Sequence, residues 1–431
     1  MKLVGIYVCL FVVLLLGSCK EDIPDPGTMS TSGRLPVLYI NTEGGEPITG
    51  KEKEDYLHAD WWLDNMGDRN YEPIGSPDAP MGMLIKGRGN STWERFDKKS
   101  YRLKLDTKQP LMGMQPNRHY CLLAHADDQL AKLKNTVGFE LSRRIGLAYT
   151  PAQEPVEVVL NGQYQGLYFI TEKPRVGKHR IAITEQADGE TDALNVTGGW
   201  LLELNGFDGP MLYVQEHADE PRQWSDMICF ESVSPGVLST IQRKYMTDFL
   251  TATNAAIHVR DKRSREWEQY IDIDTLAMYY IVGEIMDDLE YFAGSVFVYK
   301  HRGRDTKLIF GPVWDFGNAF QRWGIYGDTR FNKFIYEPPA FFYNRWIGEI
   351  AKFPHFQEVV RWHWNRFYQS GLNGLDLDAY INDFTSRIGP AFQADGKRWP
   401  QYRYNDIKQG RDNFKKFIHR KIEWLNHQWG E

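Results

Sequence analysis

The stretch VEVVLNGQYQGLYFIT, residues 156–171, carries the strongest structural signal in the chain. Apolar residues alternate with others on both sides of Asn161-Gly162. Asn-Gly is the preferred dipeptide of the type I′ turn, whose backbone twist matches that of two paired antiparallel strands. The stretch therefore predicts a β-hairpin and a sheet to which this hairpin belongs.

Segments typical of strands lie on both sides of this hairpin. In residues 98–106, apolar side chains alternate with Arg102 and Lys104, which predicts a strand with one apolar and one cationic face. A later strand is expected to end in Trp314-Asp315-Phe316-Gly317. Further short apolar segments that predict strands are residues 35–40, 56–63, 83–86, 120–123 and 200–204.

A helix is predicted over residues 127–145. Asp127 and Asp128 would begin it, because acidic side chains are favoured at the N-terminus of a helix. Apolar residues then recur three and four positions apart, and Gly146 would end the helix.

The chain becomes predominantly helical after about residue 233. Helical periodicity marks residues 241–257 and 275–286 and much of the tail from about 340, and one further hairpin is expected near residues 296–310. The predicted fold class is α+β, with a strand-rich N-terminal lobe over 35–232 and a helical C-terminal lobe over 233–431.

The N-terminus is interpreted as a targeting segment. The apolar run 3–16 is too short to span a bilayer, and it predicts a lipoprotein signal peptide over 1–18. Leu16-Gly17-Ser18-Cys19 resembles a lipobox, so Cys19 would carry lipid, followed by a flexible tether over 19–34. The expectation is an outer-membrane lipoprotein of the cell envelope, held by lipid alone and either surface-exposed or facing the periplasm. A plain signal peptide with an incidental cysteine is the alternative.

Composition narrows the function classes. The chain has 431 residues, 42% of them hydrophobic and 25% charged, which excludes global disorder. A net charge of −6 argues against nucleic-acid binding. Only Cys121 and Cys229 remain beyond the signal and lipobox, and no zinc-binding motif is present. Aromatic residues reach 14%, which fits either a large core or a sugar-stacking surface.

Four features follow one another in an order typical of protein kinases. They are a glycine-rich turn at 87–93, a strand bearing a lysine, a helix bearing acids, and Asp315-Phe316-Gly317. In a kinase, the loop covers phosphates, the lysine neutralises them, a helix glutamate orients the lysine, and the Asp of Asp-Phe-Gly binds Mg²⁺. Each feature alone is weak, since Asp-Phe-Gly is also an ordinary turn tripeptide; the order carries the interpretation.

Several short segments extend this order from about residue 80 to about residue 325. They are Arg88 to Thr92, Lys98 to Leu105, His125 to Asp128 with Lys134-Asn135, Leu160 to Gly162 with Gly166 to Tyr168 and Glu172, Gly199 to Leu204, Ser295 to Lys300, and Gly311 to Phe316. Together they resemble the CotH (spore-coat protein H) family of atypical protein kinases. The resemblance implies a kinase-like fold, ATP with Mg²⁺ or Mn²⁺ as cofactors, and transfer of phosphate to Ser of a protein substrate.

The resemblance also assigns nucleotide-binding residues. Lys104 becomes the best candidate for contacting phosphate, with Arg88 in the loop above it and with Lys99 and Arg102 as rivals. The hypothesis requires that Lys104 and the metal-binding Asp315 meet across one cleft.

Two glutamates complete the predicted nucleotide site. Glu140, on the predicted helix, could pair with Lys104. Glu172, just after the hairpin strand, occupies the position at which a kinase hinge meets adenine.

The catalytic loop departs from the kinase pattern. Glu290 occupies the position of the catalytic Asp, and Ser295 that of the metal-binding Asn. Asp287 and Asp288 are alternatives for the base if the loop is shifted in register. Because a misplacement of about one ångström can be costly in catalysis, a catalytically weak pseudokinase is kept as an alternative.

Two further function classes stay open. A glycan- or protein-binding lipoprotein is motivated by Arg361-Trp362-His363-Trp364 and Arg398-Trp399-Pro400, although such aromatics more often pack in a core. A glycosidase with Asp315 and Asp288 as its carboxylates ranks last, because nothing in their spacing selects it.

Overall fold

The structure is a computed structural model that describes residues 29–204, 209–215, 227–320, 331–337, 345–370, 372, 374–402 and 406–431. Its elements are mixed strand and helix, so the α+β class is confirmed, with strands concentrated in the N-terminal half and helices in the C-terminal half. None of the helices in these ranges combines the length and apolar character needed to cross a membrane.

Seven strands of the N-terminal half close into a barrel, which the sequence did not predict. Their order is β1-β2-β3-β4-β5-β7-β6, with antiparallel neighbours except where β1 closes on β6 in parallel. The strands are β1 (Val37–Thr42), β2 (Leu57–Asp64), β3 (Met81–Arg88), β4 (Ser100–Gln109), β5 (Asn117–Leu123), β6 (Gln153–Leu160) and β7 (Gln163–Glu172).

The hairpin predicted at Asn161-Gly162 is confirmed as β6 and β7. Asn161 and Gly162 have φ of +50° and +74°, as a type I′ turn requires. The Asn161 side-chain oxygen also accepts a 2.8 Å hydrogen bond from the backbone N–H of Thr42, at the end of β1. The turn therefore forms the hairpin and helps to close the barrel.

Apolar and cationic side chains alternate along β4 and point to opposite faces of the barrel wall. Tyr101, Leu103 and Leu105 pack in the barrel core, whereas Arg102 and Lys104 face outward, as predicted. The outer faces of β5 and β7 are apolar at Leu123, Leu167 and Phe169, and these residues join the core shared with the helices. The helices and the second sheet therefore cover this side of the barrel.

The second sheet has the order β12-β11-β8-β10-β9. The strand β10 (Met227–Ser234) crosses the predicted lobe division at residue 232, and the sheet takes strands from both sides of it. The remaining strands are β8 (Trp200–Leu204), β9 (Met211–Gln215), β11 (Val296–Lys300) and β12 (Leu308–Phe310).

Helices build most of the C-terminal half, as predicted. Helix α4 (Ile273–Ile285) is buried on nearly every side, and α7 (Gly374–Arg398) packs on strand β7 of the barrel. The other helices are α1 (Ser91–Arg95), α2 (Leu133–Ile145), α3 (Thr240–Ile257), α5 (Arg345–Ile350), α6 (Pro354–Ser370) and α8 (Ile407–Trp429).

Two local predictions were wrong. Helix α2 begins at Leu133 rather than at Asp127, because Ala131 and Lys132 have positive φ and break the helical path. Asp128 caps the helix from a distance, with its carboxylate accepting the backbone N–H of Lys134 at 3.1 Å. The strand expected to end at residues 314–317 ends at Phe310, and these four residues form a loop.

Candidate functional site

Three turns from distant parts of the chain meet where the barrel contacts the helical half: residues 125–128 after β5, 287–290 after α4, and 315–318 after β12. Hydrogen bonds to the Asn135 side chain of α2 and one backbone bridge hold them together. The side-chain oxygen of Asn135 accepts the N–H of Phe316 at 2.7 Å, and Asp288 pairs with Ala319 in an antiparallel bridge. Four of the six carboxyl groups in these turns, Asp127, Asp288, Glu290 and Asp315, are called the acidic site below.

Asp315 and Asp127 face each other across Gly317. A Cβ atom at Gly317 would lie 3.3 Å from Asp315 Oδ1 and 3.4 Å from Asp127 Oδ2, so the two carboxylates flank one small space. The Asp315 side chain is solvent-accessible, and its backbone is left-handed with φ of +56°. Removal of the Asp315 carboxyl group from water raises its pKa. The positive charge of Arg88 lowers this pKa, and the negative charge of Asp127 raises it.

Glu290 and Asp288 extend the negative charge. Asp288 Oδ1 accepts the backbone N–H of Glu290 at 3.0 Å, and Asn318 donates its side-chain amide to Glu290. Burial and the charge of Asp315 raise the pKa of Glu290 to about 7. Asp288 is fully buried, and its Oδ2 has no hydrogen-bond partner within the described residues.

Two cations flank the acidic site. The Arg88 guanidinium lies 5.8 Å from the ring centre of Trp314. Lys134 donates a 2.7 Å hydrogen bond to the carbonyl oxygen of Gly317. Both cations therefore contact the turn that carries Asp315, and both lower the pKa of its carboxyl group.

Lys104 belongs to a separate cationic group on the same barrel face. Along β4 it pairs with His119 of β5, whereas Arg88 pairs with Ser100, four positions earlier on β4. Burial lowers the pKa of His119 to about 3, helped by Arg175, Arg102, Lys173 and Lys104. The cations that the structure brings to Asp315 are thus Arg88 and Lys134, and Lys104 lies further along the face.

The rival cations have other surroundings. Lys99 donates to the carbonyl oxygen of Trp93 and lies 5.1 Å from the centre of its ring. Arg102 shares the group around His119.

The predicted glutamates contact groups other than Lys104. Glu140 forms ion pairs with Arg143 at 3.1 Å and with Arg144 at 2.7 Å on its own helix. Glu172 is buried, where it accepts hydrogen bonds from the Tyr149 hydroxyl and the Ala152 N–H and lies 3.5 Å from Arg180.

The catalytic-loop residues divide into two groups. Glu290 and Asp288 face Asp315, whereas Asp287 forms a buried 3.0 Å ion pair with Lys421. Ser295 is half-buried at the start of β11, with φ of +56°.

Sequence reasoning assigned no role to Asp127, Lys134, Asn135 or Asn318. Three of them lie in the quoted segments His125 to Asp128 and Lys134-Asn135, but the apparent helix start concealed that Asp127 occupies a turn. Of the aromatic segments, Trp364 and Trp399 are packed inside, while Trp362 is 56% exposed. Cys19 lies outside the described residues.

The acidic site suits a hard cation that is bound in part by phosphate. The described residues contain no group of three His, Cys, Asp or Glu side chains arranged to hold a metal ion. Mg²⁺, however, is commonly bound by one or two carboxylates together with substrate phosphates and water. Asp127 and Asp315 supply two such carboxylates on either side of one small space. Burial raises the pKa of Asp315, the negative charge of Asp127 adds to this rise, and a bound cation would oppose it.

The fold and site define an α+β protein with an acidic centre flanked by cations. The family model described as CotH kinase protein matches residues 85–425. The chain therefore belongs to the CotH kinase family. Comparison with curated proteins gave no match.

Proposed function

We propose that the protein transfers the terminal phosphoryl group of ATP to a serine hydroxyl of a secreted or surface protein, on a kinase-like two-lobed fold. The main supporting observation is the convergence of Asp127, Glu290 and Asp315 with Arg88 and Lys134. A metal–triphosphate complex carries both kinds of charge, so it needs carboxylates for its cation and cations for its phosphates.

The acidic site divides these tasks among its residues. Asp127 and Asp315 would hold Mg²⁺ or Mn²⁺, which when bound neutralises charge on the phosphates. Arg88 and Lys134, which lie against Trp314 and Gly317 in the turn of Asp315, would contact phosphate oxygens. The stacking of Arg88 near Trp314 and the bond from Lys134 to Gly317 hold both cations in place.

Glu290 would accept the proton of the serine hydroxyl. A pKa of about 7 is close to the working range of a general base near neutral pH. The Asn318 amide binds one of its carboxylate oxygens and so fixes the orientation of the group. Ser295 is a second candidate metal ligand, and Asp288 supports the turn by binding the Glu290 N–H.

The test is phosphate transfer from labelled ATP by the purified full chain with Mg²⁺ or Mn²⁺. Labelling of the chain itself or of a serine-rich acceptor is expected, and Asp315→Ala should abolish it. Asp412→Ala is a matched control at an ion pair on the surface of α8. Equal labelling by Asp315→Ala and the wild type would contradict the role of Asp315.

A pseudokinase that binds nucleotide without transferring phosphate is the second candidate. The departure that favours it is the longer Glu290 side chain at the position where kinases carry Asp. Mn²⁺-dependent ATP binding without labelling of any acceptor would support this candidate. Restored transfer by Glu290→Asp would show that side-chain length limits the rate.

The envelope location is also proposed, because the lipobox-like segment lies outside the described residues. Lipid attached at Cys19 would hold the protein to the outer membrane, facing either the surface or the periplasm. Metabolic labelling with a fatty acid should mark the wild type and should be lost in Cys19→Ala. Labelling that persists in this variant would contradict the anchor.

A further inference from the structure

The last helix, α8, carries a stripe of four buried residues toward the acidic site: Gly410, Phe414, Phe417 and Lys421. Their spacing of four, three and four residues places them on one face of the helix. The stripe contacts the segment that follows the first turn, the second turn itself, and Phe320, just after the third turn.

Gly410 contacts the segment that follows the first turn. A Cβ atom at this position would lie 2.8 Å from the backbone nitrogen of Ala131 and 3.2 Å from the carbonyl oxygen of Gln129. Asp128 binds the same segment, accepting the Leu130 N–H at 2.7 Å. The helix backbone therefore rests directly on the loop that carries Asp127.

Phe414 and Phe417 contact the end of the third turn. Their ring centres lie 5.4 and 5.9 Å from that of Phe320. The Phe320 N–H in turn donates to the carbonyl oxygen of Asp287 at 3.3 Å. These two aromatic rings thus support the turn of Asp315 and its junction with the second turn.

Lys421 binds the start of the second turn. Its Nζ lies 3.0 Å from Asp287 Oδ1 and 3.1 Å from Glu284 Oε2, and at most 2% of any of these side chains is exposed. It also donates a 2.7 Å hydrogen bond to the Lys333 carbonyl oxygen. Asp287 has φ of +45° and begins the turn that ends at Glu290. The ion pair therefore fixes the residue from which the Glu290 turn departs.

We infer that α8 is a positioning element of the active site, with Lys421 acting through Asp287 on Glu290 and Gly410 acting on the Asp127 loop. This inference rests on the proposed function, because it assigns the three turns a shared catalytic geometry. One rigid helix that contacts the second turn and the segments following the first and third turns restrains their relative positions, and catalytic groups need placement within about half an ångström.

Hydrogen exchange tests the positioning without any assay of activity. In Lys421→Met, amides of residues 287–290 and Phe320 should exchange about tenfold faster or more, because a local restraint on these turns is lost. Barrel amides of β1 to β4 should not change. Lys416→Met, on the exposed side of α8, is the matched control and should leave both regions unchanged. A uniform increase across the chain, or no local increase, overturns the inference.

Activity then tests whether Lys421 acts through Glu290. Lys421→Met should lower kcat by roughly a hundredfold with little change in the KM for ATP, because the base is displaced while the phosphate contacts persist. Lys421→Met combined with Glu290→Gln should be no slower than Glu290→Gln alone. Additive losses would overturn the coupling. If the wild type transfers no phosphate, the proposed function fails, and the exchange pattern still decides the positioning role.

Gly410→Ala is a second variant that keeps the test valid if Lys421→Met does not fold. Alanine favours a helix where its Cβ has room, as at Gly389, whereas at Gly410 the Cβ would lie 2.8 Å from the backbone nitrogen of Ala131. The added Cβ meets backbone of residues 129–131, so we expect faster exchange there and weaker Mn²⁺-dependent ATP binding. Gly389→Ala on α7, where a Cβ meets nothing within 4 Å, is its control. Equal behaviour of the two variants would overturn the role of Gly410.

Discussion

At the scale of single residues, carboxyl groups that are close in the sequence have different partners and therefore different roles. Asp287 and Asp288 are neighbours in the sequence, yet Asp287 pairs with Lys421 whereas Asp288 joins the acidic site. Glu290 adjoins both Asp288 and Asp315, and it is the carboxyl group whose pKa lies at about 7. Asp287 has a left-handed backbone, with φ of +45°, at the point where its side chain and that of Asp288 take different partners.

Glu290→Gln tests the role of this carboxyl group as a base. The amide keeps the size of the side chain but cannot accept the serine proton. Loss of a positioned base typically lowers the rate by roughly 10²- to 10⁴-fold. We expect that loss in kcat, with Mn²⁺-dependent ATP binding retained when measured by calorimetry. Unchanged kcat would show that another group removes the proton.

The lowered pKa of His119 predicts that the stability of the protein depends on pH. Its pKa falls from 6.5 to about 3 on folding, because burial and the surrounding cations disfavour the charged imidazole. Between these two values the unfolded chain binds the extra proton, so the free energy of unfolding should fall as pH decreases from about 6.5 toward 3. His119→Asn should make this fall shallower in urea titrations, whereas the exposed His427→Asn should not. An unchanged slope in His119→Asn would contradict the shift.

At the scale of elements, a buried ion pair joins α7 to the barrel. Lys98 Nζ lies 2.7 Å from Asp395 Oδ1, and both side chains are inaccessible. Lys98 also donates to the carbonyl oxygens of Ala124 and Leu167. The pair therefore ties a C-terminal helix to the strand end that leads into the first turn of the acidic site.

Removing one partner of this pair should be costly. Lys98→Met leaves the Asp395 carboxylate buried without its cation, which we expect to lower the free energy of unfolding by ~3–5 kcal/mol. Lys98→Met combined with Asp395→Leu should recover part of that loss. The exposed pair Lys244–Asp248 provides the control, since Lys244→Met should cost less than about 1 kcal/mol. Urea denaturation measures all three variants, and equal losses for Lys98→Met and Lys244→Met would contradict the account.

Local patterns in the sequence predicted the elements better than their ends and their partners. The Asn161-Gly162 turn and the alternation around Arg102 and Lys104 depend on neighbouring residues, and both were confirmed. The predicted start of α2 was wrong, because Asp128 accepts the N–H of Lys134 across a turn, and such a turn leaves no periodic pattern in the sequence. Closure of the barrel depends on pairing of β1 with β6, more than a hundred residues apart, and short-range patterns do not encode it.

At the scale of the whole molecule, the acidic site exists only because both halves contribute to it. The barrel supplies Arg88 and the loop of Asp127, and the helical half supplies Glu290 and Asp315. The resemblance to CotH kinases assigned roles to Arg88, Glu290 and Asp315 by position. Lys134 escaped assignment because its contact with Gly317 joins residues 183 positions apart. The C-terminal helices contact the barrel through Asp395 and the second turn of the acidic site through Lys421.

The most direct test is a crystal structure of the full chain with Mn²⁺ and a non-hydrolysable ATP analogue. The anomalous signal of Mn²⁺ identifies the metal position independently of the fitted ligand. We predict that Mn²⁺ is bound by Asp315 and Asp127, and that Arg88 and Lys134 contact phosphate oxygens. Mn²⁺ and phosphates bound away from Asp315, for example at Lys104 and His119 alone, would contradict the proposed active site.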